Sequence, residues 1–130
     1  MRDETKYWLQ FAEDNLNAAK VLAASNLYNP CLHNIQQSIE KTLKSIFIEK
    51  GKPLIKTHNI LELNNLLNKM EVYLTISTDE CEFLDSIYLP SKYPVGSSLP
   101  HFYPDKEICS KSILLADRVL AEVKQLLSTS

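Results

Sequence analysis

Three long stretches of this 130-residue chain, spanning residues 3–25, 31–50 and 105–127, contain neither glycine nor proline and set apolar side chains three and four residues apart. That spacing lines one face of an α-helix; a strand face repeats every second residue and is not served by it. The first stretch carries Leu9, Ala12, Leu16, Ala19 and Ala23, widened by Trp8 and Phe11. The second carries Leu32, Ile35, Ile39, Leu43, Ile46 and Phe47, and the last carries Cys109, Ile113, Ala116, Leu120, Val123 and Leu127. With only two glycines and six prolines, the chain lacks the turn residues that many short strands require.

The breaks between these stretches divide the rest. Residues 26–29 interrupt the first helix, and Asn29 followed by Pro30 reads as the cap and first turn of the second, which Gly51 ends. Pro53 bars its continuation, and Thr57 reads as the cap of a third helix with Ile60, Leu61, Leu63, Leu66, Leu67 and Met70, placing His58 in its first turn. Residues 71–76 favour no one element. Ser77-Thr78-Asp79-Glu80 matches a capping box at the head of a fourth helix bearing Phe83, Leu84, Ile87 and Tyr88. Pro90, Pro94, Pro100 and Pro104 then mark one long loop with Gly96 near its tip, and the last helix starts near Asp105. The expected fold is all-α, an antiparallel up-and-down helical bundle of four long helices plus a shorter one, with residues 1–130 forming a single domain.

A net charge of -2 argues against bulk electrostatic binding of nucleic acid or of an anionic membrane, and leaves local basic patches open. No apolar run reaches the length of a membrane span or a secretory signal, so a soluble cytoplasmic protein is expected. Cys31, Cys81 and Cys109 are widely spaced and read as reduced, buried small hydrophobes; no spacing suggests a metal site, and no glycine-rich phosphate loop is present.

The second helix has a continuous polar stripe: His33, Gln36, Gln37, Glu40, Lys41 and Lys44. It reads either as a solvated face, with Glu40 and Lys44 supporting each other at i,i+4, or as a row of amide, imidazole and ammonium groups able to meet a base edge and a phosphate. Packing in a homodimer interface is the third reading.

Several motifs in order resemble the HEPN domain family across about residues 7 to 127. Trp8-Leu9 with Ala12-Glu13-Asp14-Asn15-Leu16 is similar to the family's opening helix, displaced by one residue where Asn15 follows Asp14. Leu27-Tyr28 resembles its first turn, and His33 through Lys41 resembles its H-x-x-Q-Q-x-x-E-K stripe. Thr57-His58-Asn59-Ile60-Leu61 resembles its T-H-x-L segment, and Tyr88 through Pro94 resembles its Y-x-P-x-R-Y-P loop, with Lys92 in place of the arginine. Lysine offers a point charge there instead of a bidentate fork.

The resemblance implies a nucleotide-associated binding and interaction module, a homodimer, and the companion of a separately encoded minimal nucleotidyltransferase. The nucleotide-binding candidates are His33, Gln37, Glu40, Lys41, Lys44, His58, Lys92 and Tyr93. No catalytic residue, metal ligand or cofactor is assigned. The alternative is a toxin-like, metal-independent ribonuclease of a toxin-antitoxin pair, using His101 or His58 as acid-base group and Lys92 as phosphate contact. Ribonuclease members of the wider superfamily use an arginine followed about four to six residues later by histidine. Arg2 and Arg118 have no histidine at that spacing. In the loop, Tyr93, His101, Phe102 and Tyr103, flanked by Lys92 and Lys106, offer faces for base stacking; packing onto the bundle is the competing reading.

Overall fold

The structure, a computed structural model, describes residues 1–92 and 104–128, with side chains over 1–87 and 104–128. Among the described residues five helices follow in order: α1 (Asp3–Ala24), α2 (Tyr28–Glu49), α3 (Ile60–Lys69), α4 (Thr78–Lys92) and α5 (Lys106–Ser128). This is the all-α bundle that the apolar spacing predicts.

The ends of the helices show how the sequence sets their lengths. Three of them close in the same way: the amide two residues past the cap bonds back to a carbonyl five residues earlier, as in Leu27 to Leu22, Lys52 to Phe47 and Val72 to Leu67. That closure needs one residue in the left-handed region. Asn26 (φ 61°), Gly51 (φ 70°) and Glu71 (φ 61°) supply it. Asparagine and glycine adopt it readily and are legible as stops, whereas a glutamate gives no such signal, which is why residues 71–76 favour no element in the sequence.

Helix starts match the sequence reading at α1, α4 and α5 and differ at α2 and α3. Ser77 and Glu80 form the reciprocal capping box, with Ser77 N donating to Glu80 Oε1 at 2.9 Å and Glu80 N to Ser77 Oγ at 3.0 Å. Asp105 Oδ1 accepts from Ile108 N at 2.8 Å at the head of α5. The cap of α3, however, is Asn59, which accepts from Glu62 N. Thr57 instead bonds Glu62 Oε2 and receives the Asn59 amide, so His58 precedes the helix and does not lie in its first turn. Likewise α2 begins at Tyr28 with no side-chain cap; Pro30 falls inside the first turn, where its missing amide would have no partner anyway. The expected loop at Pro90 starts later, since α4 continues to Lys92. A proline this close to a helix end forfeits one hydrogen bond without breaking a long ladder.

Helix α2 is central. It packs against each of the other four helices, and fourteen of its twenty-two residues are buried, so no face of it is fully solvated. Helix α1 lies antiparallel beside it: Arg2 N reaches Glu49 Oε1 (2.9 Å), Ser38 Oγ donates to the Ala12 carbonyl (2.8 Å) and Asn15 Nδ2 to Asn34 Oδ1 (3.0 Å). Helix α5 packs against both α1 and α2, running antiparallel to α1, as the pairs Lys124–Glu13 and Lys20–Asp117 show. Leu32, Ile35, Ile39, Leu43 and Ile46 of α2 meet Leu63, Leu67, Leu84, Ile87, Val119 and Val123 in one contiguous core. Asp85 of α4 caps α3 from outside, accepting the amides of Ile60 (2.7 Å) and Leu61 (3.0 Å).

Candidate functional site

The polar stripe of α2 is not the solvated face that its composition suggests: Gln36 is fully buried, and Glu40 and Lys44 are only 4% and 5% exposed. Helix α2 is enclosed by neighbours on both sides, and the fold divides the stripe into two networks.

The first faces the segment leading into α3. Glu40 Oε2 accepts from Lys44 Nζ at 3.1 Å, and Glu40 Oε1 lies 3.0 Å from His58 Nδ1. One turn earlier, Gln36 Nε2 donates to the His58 carbonyl at 3.0 Å while its Oε1 accepts from Gln37 Nε2 at 2.8 Å. His58 is therefore held through both side chain and backbone, yet 60% of its side chain faces solvent. A buried carboxylate must be satisfied on both oxygens; Glu40 achieves this with one ammonium and one imidazole, and this fixes where the imidazole sits.

The second network faces α1. Lys41 Nζ donates to Asn15 Oδ1 at 2.7 Å, Asn15 Nδ2 to Asn34 Oδ1 at 3.0 Å, and Asn34 Nδ2 to the Pro30 carbonyl at 2.9 Å. Lys41 is half-buried. Its partner is a neutral amide, and among the described residues no carboxylate pairs with it.

The candidates on α2 and His58 are thus brought together, with distinct parts. Glu40 and Lys44 are engaged with each other beneath the surface. Lys41, Gln37 and the outer edge of His58 face outward, and the half-buried His33 shares their face of α2, one turn before Gln37. Lys92 ends α4, but its side chain lies outside the described residues, as do Tyr93, His101, Phe102 and Tyr103. Asn15, Asn34 and Gln36 are the contributors absent from the sequence-based site. Asn15 did leave a trace, as the extra residue that displaces the opening motif.

Elsewhere the chemistry is structural. Arg2 Nη1 bonds the Ile48 carbonyl (2.7 Å) and Arg118 bonds Glu80 (2.7 Å), so both arginines tie helices together. The cysteines are buried and free; burial pushes the Cys81 and Cys109 thiols up to about 12 and raises that of Cys31, the reverse of what a nucleophile needs. No group of metal-ligating side chains occurs among the described residues, and none of the described helices is long and apolar enough to cross a membrane. A depression of about 650 Å³ between α1 and α5, lined by Lys6, Gln10, Glu13, Lys124 and Gln125 among others, contains none of the candidate residues.

Comparison with known proteins agrees with the motifs. The family model described as HEPN domain matches residues 5–126. Among solved structures, that of TT1696 from Thermus thermophilus superposes with a TM-score of 0.73 at 22% identity, over 95% of this chain and 98% of that one. ST0689, described as an archaeal HEPN homologue, superposes with a TM-score of 0.71 at 26% identity, over 98% of this chain and 99% of that one. The first is a likeness of fold. A search of curated proteins found no match.

Proposed function

Because this chain belongs to the HEPN domain family, we propose that it is a nucleotide-associated binding module whose site is the outer edge of α2, with Lys41, Gln37, His33 and His58 as contacts and Glu40 and Lys44 as the support beneath them. The observation that carries this reading is Lys41: a half-buried ammonium with a neutral amide as its partner retains charge for an anion. Gln37 presents an amide oxygen and a second N–H beside it, since its first N–H is committed to Gln36, and an amide in this state pairs with a donor and acceptor on a base edge. Lys92 and Tyr93 are proposed as further contacts on the strength of the family motif alone.

The test is thermal unfolding with mono-, di- and triphosphate nucleotides. A ligand at one hundred times its dissociation constant stabilises by about 2.7 kcal/mol, which raises Tm by several degrees. Lys41→Ala is expected to abolish the shift, whereas Lys44→Ala lowers the starting Tm itself. No shift of the wild-type chain with any nucleotide rejects the proposal.

The family further suggests a homodimer that accompanies a separately encoded minimal nucleotidyltransferase and acts in the cytoplasm, within a toxin-antitoxin pair. Light scattering across a concentration series tests the dimer. Co-purification with such an enzyme from native lysate tests the partnership, and repeated recovery without one counts against it.

A further inference from the structure

Helix α1 carries an exposed aromatic ring, Phe11, on the edge whose Asn15 holds Lys41. Trp8, Phe11 and Asn15 recur at three and four residues and so share the edge of α1 that faces α2. Asn15 shows where that edge leads, since its Oδ1 receives Lys41 Nζ at 2.7 Å and its Nδ2 reaches Asn34. Phe11 lies one turn below Asn15, about 6 Å along the axis. It is 57% exposed, although its neighbours Ala12 and Leu16 are almost wholly buried. Trp8, one turn further down, is half-buried. Glu4 shares this edge four residues before Trp8, about 16 Å along the axis from Asn15, and Asp14, off the edge, accepts from Gln10 at 2.9 Å; among the described residues neither pairs with Lys41.

We infer that this α1 edge is the base-stacking wall of the nucleotide site, with Phe11 taking the face of the base, Trp8 flanking it and Lys41 taking the phosphates. The inference rests on the nucleotide reading of α2 and extends it to a second helix. An exposed aromatic ring next to an ammonium that no carboxylate of the described residues pairs suits a ligand that is both flat and anionic, because the ring gains by stacking and the cation by charge-assisted hydrogen bonds. A bare anion would make no use of Phe11, and an uncharged aromatic would make none of Lys41. Stacking accepts every base face, so this wall confers affinity for nucleotides as a class; choice among bases falls to the amide of Gln37.

The experiment compares ATP, GTP, CTP and UTP with inorganic tripolyphosphate, which has the charge without the base. Affinity is read by titration calorimetry and by emission of Trp8, the sole tryptophan of the chain. Nucleotides are expected to quench Trp8 emission and tripolyphosphate to leave it unchanged. Phe11→Ala should weaken nucleotide binding about tenfold or more and leave tripolyphosphate binding as it was, with Phe11→Tyr restoring the nucleotide affinity. Because Phe11 is exposed, the variant is expected to unfold at the wild-type temperature. Nucleotide affinity unchanged in Phe11→Ala overturns the inference while the α2 site stands. Equal loss of tripolyphosphate binding, or conversion of a dimer to a monomer by the same variant, also overturns it, since the ring then serves packing or self-association. If the wild-type chain binds neither nucleotides nor tripolyphosphate, the α2 reading fails and takes the inference with it.

Discussion

Glu40 and Lys44 illustrate how far residue types alone can mislead. Four residues apart on a helix, they have the spacing of an exposed supporting pair worth a few tenths of a kcal/mol. In the fold both are buried, 3.1 Å apart, with His58 completing the carboxylate. Desolvation makes such a pair weak evidence for stability and makes half of it costly. Lys44→Met, which strands the carboxylate, and Glu40→Leu, which strands the ammonium, are each expected to cost about 3 to 5 kcal/mol in urea unfolding. The double variant should cost clearly less than the sum. Additive losses would mean that the two side chains do not pair. The stripe's composition was legible, but its burial was not, because burial depends on which helices flank α2.

Among the elements, the helix ends follow local chemistry closely enough to predict substitutions. Gly51 and Glu71 occupy the same left-handed position in the same closing motif, at φ 70° and φ 61°. A side chain at that conformation costs about 1 kcal/mol relative to glycine. Glu71→Gly is therefore expected to stabilise the protein by about 1 kcal/mol, and Gly51→Ala to destabilise it by at least as much. A Cβ at residue 51 would also stand 3.4 Å from Arg2 Nη1, close contact for the guanidinium that satisfies the Ile48 carbonyl. Chemical denaturation of the two variants checks both signs. The capping box at Ser77 and the stop at Gly51 could be read directly from the sequence, since each acts within a few residues. The cap at Asn59 could not be distinguished from Thr57, because both side chains bond within the same turn and only the path of the chain out of α2 selects one.

At the scale of the whole molecule, the ends of α1 and α2 are tied together by Glu49. Its carboxylate accepts from the Arg2 amide at 2.9 Å and from Thr5 Oγ1 at 2.9 Å. The Arg2 amide foremost, then the Thr5 hydroxyl, hold its pKa below the ordinary carboxylate range. In the pH window between the lowered folded value and the ordinary unfolded value, the unfolded chain binds more protons, so stability there rises with pH. Above the unfolded value the contribution is fully present, and it is lost as pH falls through the folded one. Asp85 acts with opposite sign: burial raises its pKa, only partly offset by the amides of Leu61 and Ile60, so its protonation favours the folded state as pH falls. The contribution of Glu49 is thus best isolated as a difference. The difference between wild type and Glu49→Gln should be fully present above the ordinary carboxylate range and shrink as pH falls through and below it; a difference that stays constant on acidification would show that the carboxylate charge is not what ties the two helices.

The helical class, the number of helices, most of their boundaries and the family resemblance were readable from the sequence, because each rests on short-range periodicity, capping residues or ordered motifs. The candidate site was readable as a set of residue types, most of them on one helix. Its division into a buried support, Glu40 with Lys44 and Gln36, and an outward edge, Lys41 with Gln37, followed only from tertiary packing, as did the approach of Asn15 from α1. The physical reason is that the helical period specifies which residues share a face, while the depth of a face below the surface, and the side chains that meet it, are set by neighbours distant in the chain.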